Sequence, residues 1–250
     1  MEEYVKEALE NGKRADKRGF LEYRKINVRE NVSSKAEGSS LVEIGETKVL
    51  AGVKLEIKEP FEDAPNEGIL IVNAEFTPLS SPEIEAGPPD ENAIEVGRIV
   101  DRVIRESHAI DWEKLFIEEG KVWAVFIDIS VLDMNGNLID AAVLASVKAL
   151  LNTKIPKIEN GKIVRGEFVS KLPVNYKPVS VTLGKYKESF VLDLTSLEEE
   201  IINAKLTIGV RDDDKICTIQ KQGIGTFTIN EIEKALDIAI EKSKELRRLL

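Results

Sequence analysis

The sequence predicts an α+β fold of two halves, each with its helices on one face of a β-sheet. Three observations carry that prediction. Glu37 to Lys54 reads as a β-hairpin with one buried face, with apolar residues alternating through Leu41, Ile44, Val49, Ala51 and Val53 and Gly45-Glu46 where the chain must reverse. Residues 91–108 follow a 3.6-residue period, with Val96, Ile99, Val100, Val103 and Ile104 on one face and Glu95, Arg98, Arg102 and Arg105 on the other. Finally, the order strands–helix–strands–helix occurs twice along the chain, although the two stretches share no close sequence repeat.

In chain order, Glu3 to Asn11 has helical character, with Gly12 as its C-cap, and the basic run KRADKR follows. Strand alternation is read over Tyr23–Val28, the hairpin at 39–57 and Ile69–Phe76. A loop with Pro78, Pro82, Pro88 and Pro89 leads to Asp90, the expected N-cap of the helix from Glu91 to His108. Val122–Leu132 reads as a long buried strand, Asn135-Gly136-Asn137 as a turn and Leu138–Leu151 as a helix rich in alanine and leucine. Near Pro156 the composition turns polar and glycine-bearing, as a loop between halves would be. Strands are then expected at Val179–Leu183, Phe190–Leu194, Lys205–Val210 and Ile216–Gln222, with a short acidic helix near Leu197–Asn203. Thr228 and Glu231 form a capping box that opens a last helix to about Arg248, with Ile232, Ala235, Leu236, Ala239 and Ile240 as its buried stripe. The expected division is a helical arm over 1–18, a first half over 19–155 and a second over 156–250.

Composition excludes several classes. No apolar leader opens the chain and no run of 18 apolar residues occurs, so the expectation is a cytoplasmic protein without a membrane partner. The single cysteine, Cys217, cannot form an internal disulfide and reads as a structural thiol. A net charge of −10 argues against a broad basic nucleic-acid surface and leaves room for a few local arginines.

Each charged constellation has a plain structural reading beside the functional one. Arg98, Arg102 and Arg105 line one helix face, where guanidinium forks would suit phosphate oxygens; the plainer reading is a solvated face with Glu95 paired to Arg98 and Arg102. Asp212-Asp213-Asp214 reads as a solvated turn, because successive side chains diverge too far to share a metal. His108, the only histidine, has no nucleophile motif attached to it and reads as a helix-end residue. Gly223 and Gly225 lack the spacing of a nucleotide loop. No catalytic residue, metal ligand or cofactor is assigned.

Four segments together resemble the RNase PH family of phosphate-dependent 3′-exoribonucleases: NGKRADKRG, EGSSLVEIGETKVLAGVK, GPPDENAIEVGRIVDRVIRES and GNLIDAAVLASVKALLNTKIP. The resemblance spans nearly the whole chain and is greatest to the family's non-catalytic subunit type in the archaeal exosome. It implies two β-α-β-α halves related by a pseudo-two-fold. It also implies a hexameric ring of three heterodimers with a catalytic RNase PH-like partner, RNA-binding cap subunits on one face, and RNA as ligand.

The resemblance also shows where the chemistry departs. Active relatives carry a basic pair before the long helix, and here Glu91 and Asn92 stand in its place. They carry a GG-(T/S)-R turn, and here it is Asn135-Gly136-Asn137-Leu138. Of their acidic pair, Glu199 falls near the first position and Lys205 replaces the second. Phosphorolysis needs a held phosphate, charge stabilisation and a proton donor, and all three provisions are altered. The implied chain is a non-catalytic, RNA-binding member in which Arg98 and Arg102 contact RNA beside the partner's active site. The rivals are a chain that is itself an active phosphorolytic 3′-exoribonuclease and a stand-alone binding module of the same fold.

Overall fold

The computed structural model describes residues 1–85 and 87–250; Ala86, inside the proline-rich loop, lies outside them. After helix α1 (Glu2–Glu10) come β1 (Ile26–Glu30), β2 (Gly38–Ile44), β3 (Thr47–Lys58) and β4 (Ile69–Phe76), then α2 (Glu91–Glu106). A single 3₁₀ turn, β5 (Phe116–Glu118), β6 (Lys121–Asp133) and α3 (Leu138–Asn152) complete the first half. A hairpin of β7 (Lys154–Glu159) and β8 (Lys162–Lys171) leads to β9 (Val179–Tyr186), β10 (Ser189–Leu192), α4 (Ser196–Ile201), β11 (Lys205–Val210), β12 (Ile216–Gln222) and α5 (Ile229–Arg247). Both halves thus follow the strands–helix–strands–helix order expected from the sequence.

The first sheet has the order β1-β2-β3-β6-β4, with β5 on β6; β4 runs parallel to β6 and the other pairs are antiparallel. The second is antiparallel throughout, in the order β10-β9-β11-β12. Between the two lies α3, which packs on β2 and β3 on one side and on β9 on the other. That position explains its composition. A helix buried all round needs apolar residues all round, and Ala141, Ala142, Ala145 and Ala149 let the sheets approach it closely. The small residues of the EGSS segment have the same origin. A Cβ on Gly38 would overlap the backbone of Ala149 and Thr153, and the Ser40 hydroxyl donates to the Ala145 carbonyl at 2.6 Å.

The N-terminal arm is fastened to the second half. Val5 and Leu9 share a small core with Val191, Leu194 and Ile202. The buried Arg14 grips both carboxylate oxygens of Glu198, at 2.9 and 2.5 Å, and donates to the carbonyls of Leu192 and Asp193 at 2.8 Å each. Beside it Asp193 is fully buried and accepts from Arg18, Arg24 and Asn137, which belong to the arm, the first half and the N-cap of α3. Burial opposes its charge, yet the Arg24 and Arg18 guanidiniums hold its carboxyl below the usual carboxylate range.

Two expectations need correction. The polar stretch after Pro156 is a hairpin and not a loop: Asn160 and Gly161, at φ +50° and +73°, make the tight turn between β7 and β8. The long helix stops at Glu106, two residues short of His108, which takes φ +52° beyond the cap.

Candidate functional site

Five elements enclose a cleft of about 310 Å³, lined by Asn92 and Glu95 from the start of α2, Gly136 to Ile139 at the start of α3, Glu199 from α4, and Lys205 and Gln222 from β11 and β12. The proline-rich loop closes it with Ser81, Glu83 and Ile84. Asn92, Leu138 and Lys205, picked out in the sequence as replacements, therefore meet in one place with Glu199, which falls near the first acidic position. Glu91 does not line it.

Local chemistry fixes the cleft's floor. Gly136 has φ +73°, and a Cβ there would overlap the carbonyl of Leu194, so only glycine lets the turn before α3 lie against the second half. The Asn135 side-chain carbonyl accepts from the Ser196 amide at 3.2 Å, and Thr47 donates to the Gly136 carbonyl at 2.7 Å. The N-terminus of a helix favours an anion. Here that anion is the chain's own: Glu199 Oε1 accepts from the Asn137 amide at 3.2 Å and lies 3.3 Å from Lys205 Nζ. Lys205 is the one cation among the described lining residues, against Glu83, Glu95 and Glu199; no arginine is among them.

A second groove, of about 540 Å³, runs between α2 and the edge strand β4, with Arg98, Asp101, Arg102 and Arg105 along it. Gly97 of the helix faces Val72 and Ala74 of this strand. The three arginines differ in their commitments. Arg105 pairs with Asp101 at 2.7 Å and reaches the Leu70 carbonyl. Arg102 donates only to Gln220 of β12, at 3.0 Å, and among the described residues Arg98 has no hydrogen bond or ion pair. Glu95, the partner in the plainer reading, instead accepts from Gln222 at 3.0 Å. The two arginines singled out by resemblance are thus the two left without a carboxylate.

The remaining candidates follow their plain readings. Burial pushes the Cys217 thiol up to about 11, which keeps it protonated and inert at neutral pH. Asp213 and Asp214 are neutralised by Arg211, Lys215, Lys244 and Arg247 around an exposed turn. Among the described residues no His, Cys, Asp and Glu cluster is placed to share a metal, and no helix is long and apolar enough to cross a membrane. Sequence reasoning missed Glu95 and Gln222 as cleft residues; their pairing spans 127 positions, and neither sits in a motif.

The sequence profile of domain 1 of the 3′ exoribonuclease family, RNase PH, matches residues 22–156, and that of domain 2 matches residues 177–242. The chain belongs to the RNase PH family. Among its relatives, the exosome complex component Rrp42 of Methanothermobacter thermautotrophicus is 46% identical over 246 residues, covering 97% of this chain and 91% of that one. Its counterpart from Thermococcus kodakarensis is 45% identical, with 99% and 93% covered. A chain in the solved Archaeoglobus fulgidus exosome with RNA bound to the active site superposes with a TM-score of 0.92 at 44% identity, over 99% of this chain and 96% of that one. A solved archaeal exosome core contains another, at 0.88 and 43%, covering 98% and 94%. Rice Rrp46, at 16% identity and a TM-score of 0.70, shares the fold alone. The RNase PH-like fold expected from the sequence motifs is the fold of this chain.

Proposed function

We propose that this RNase PH-family chain is a non-catalytic, RNA-binding subunit of an archaeal exosome, a 3′-to-5′ RNA-degrading complex of the cytoplasm. In this reading three copies alternate with a catalytic RNase PH-like partner in a six-membered ring that carries RNA-binding cap subunits. This chain completes and shapes the partner's active site, and Arg98 and Arg102 hold the RNA backbone there. Its arm (1–18) and two halves (19–155 and 156–250) act as one scaffold.

One observation carries the reading. The replaced positions Asn92, Leu138 and Lys205 converge with Glu199 on a single cleft whose one lining cation among the described residues is already paired to Glu199. An inorganic phosphate entering there would meet Glu83, Glu95 and Glu199 and no arginine. Two guanidiniums without carboxylate partners line the separate groove. The near-full-length likeness to relatives named as exosome components supports the assembly.

The test is phosphorolysis. Purified alone with RNA and orthophosphate, the chain should release no nucleoside diphosphate, and adding the catalytic relative should restore release. Release by the chain alone would make it a phosphorolytic exoribonuclease in its own right.

A further inference from the structure

The altered cleft has exchanged one polarity for another. Asn137 is 2% exposed, and its amide nitrogen donates to Asp193 at 2.9 Å, which leaves its carbonyl as the free end. The Gln222 amide nitrogen donates to Glu95 at 3.0 Å, with the same consequence. Flipping either amide would set a carbonyl against a carboxylate, so the orientations are fixed by charge. Both carbonyl oxygens are buried and have no hydrogen-bond partner. A buried acceptor without a donor is costly, and both residues line the same cleft. Around them stand Glu83 and Glu95, which have no ion pair among the described residues, and Glu199, shared with Lys205. Among the described residues, both fully buried unpartnered atoms of the cleft call for a hydrogen-bond donor.

We propose that this cleft binds an organic cation, a primary ammonium or guanidinium group on an aliphatic stem. The head would pair with Glu95 and, once the lining shifts to admit it, donate to the two buried amide carbonyls, and the stem would lie along Ile84, Val96, Leu138 and Ile139, part of an apolar lining that also includes Phe76 and Met134. Leu138, which removes a cation from the turn, then supplies the surface that a methylene chain needs. A divalent metal does not suit the site, because no three ligating side chains are placed to share one among the described residues. The group has two possible sources, a free polyamine or a lysine or arginine of a ring neighbour.

Calorimetric titration of the full-length chain with spermidine, guanidinium and orthophosphate tests the proposal. Spermidine should saturate one site per chain, and orthophosphate should not bind. Glu95→Gln and Gln222→Leu should each weaken spermidine at least tenfold while the thermal midpoint stays within a few degrees. Lys205→Met should tighten binding, since it removes a like charge and frees Glu199, a sign that general attraction to an acidic protein does not produce. In the assembled ring, persistent binding identifies a free polyamine, and lost binding identifies a neighbour's side chain. No saturable binding of spermidine or guanidinium, or binding that ignores Glu95→Gln, would overturn the proposal. Either result leaves the phosphorolysis test unaffected, because that test reads released nucleoside diphosphate and not cleft occupancy.

Discussion

Arg98 and Arg105 share a helix face and differ in what they are free to do. Arg105 is locked to Asp101, whereas Arg98 has its full charge to offer. Replacing Arg98 and Arg102 with Glu should weaken RNA retention by the assembled ring and flatten its salt dependence by roughly one unit per lost phosphate contact. Arg105→Ala should leave that slope unchanged. Filter binding between 50 and 300 mM salt reads both, and equal slopes for all three variants would remove the distinction. Asp140 gives a second prediction at this scale. Burial pushes its carboxyl up to about 7, although Thr182 and Ser180 donate to it. The folded state therefore keeps a proton that the unfolded chain releases near pH 4. Its contribution to stability is complete below that pH and is lost as pH rises through about 7. The Asp140→Asn variant should lack this decline, so its melting temperature relative to the parent should rise between pH 4 and 7.5. A constant difference across that range would contradict the assignment.

At the scale of elements, stability concentrates where the halves meet. Gly136→Ala forces a side chain into a left-handed turn and into the Leu194 carbonyl, and should cost several kcal/mol. For a chain of 150–250 residues each kcal/mol is about 2–4 °C, so differential scanning should show a loss of 5 °C or more. Arg14→Ala leaves Glu198 buried and unpaired, at a cost of about 3–5 kcal/mol readable as a shifted urea midpoint. The elements most legible in the sequence were those with one buried face: the β2–β3 hairpin, α2 and the Thr228 cap of α5 all follow from periodicity and capping chemistry. The β7–β8 hairpin was not legible, because β8 is exposed on both faces from Arg165 to Lys171 and shows no alternation to read. Its Asn160-Gly161 turn was the signal that could have found it. At the cleft, Asn92, Leu138 and Lys205 stand out because each departs from a family motif, and Glu199 because it falls near a motif's acidic position. Glu95 and Gln222 sit in no motif, and only the fold brings them together.

For the whole molecule, the two sheets clasp α3, and the arm is tied to the second half by buried charge, so the chain has the character of a rigid building block. In the proposed reading its function depends on what it presents to ring neighbours: an arginine groove on one side of α2 and an acidic cleft at that helix's start. The measurement that tests this account most directly is a structure of the assembled ring determined with RNA and orthophosphate. The account predicts the inorganic anion in the catalytic partner's site alone, with Arg98 and Arg102 against the RNA backbone next to it. Phosphate bound between Asn92 and Leu138 of this chain, facing an RNA 3′ end, would contradict it.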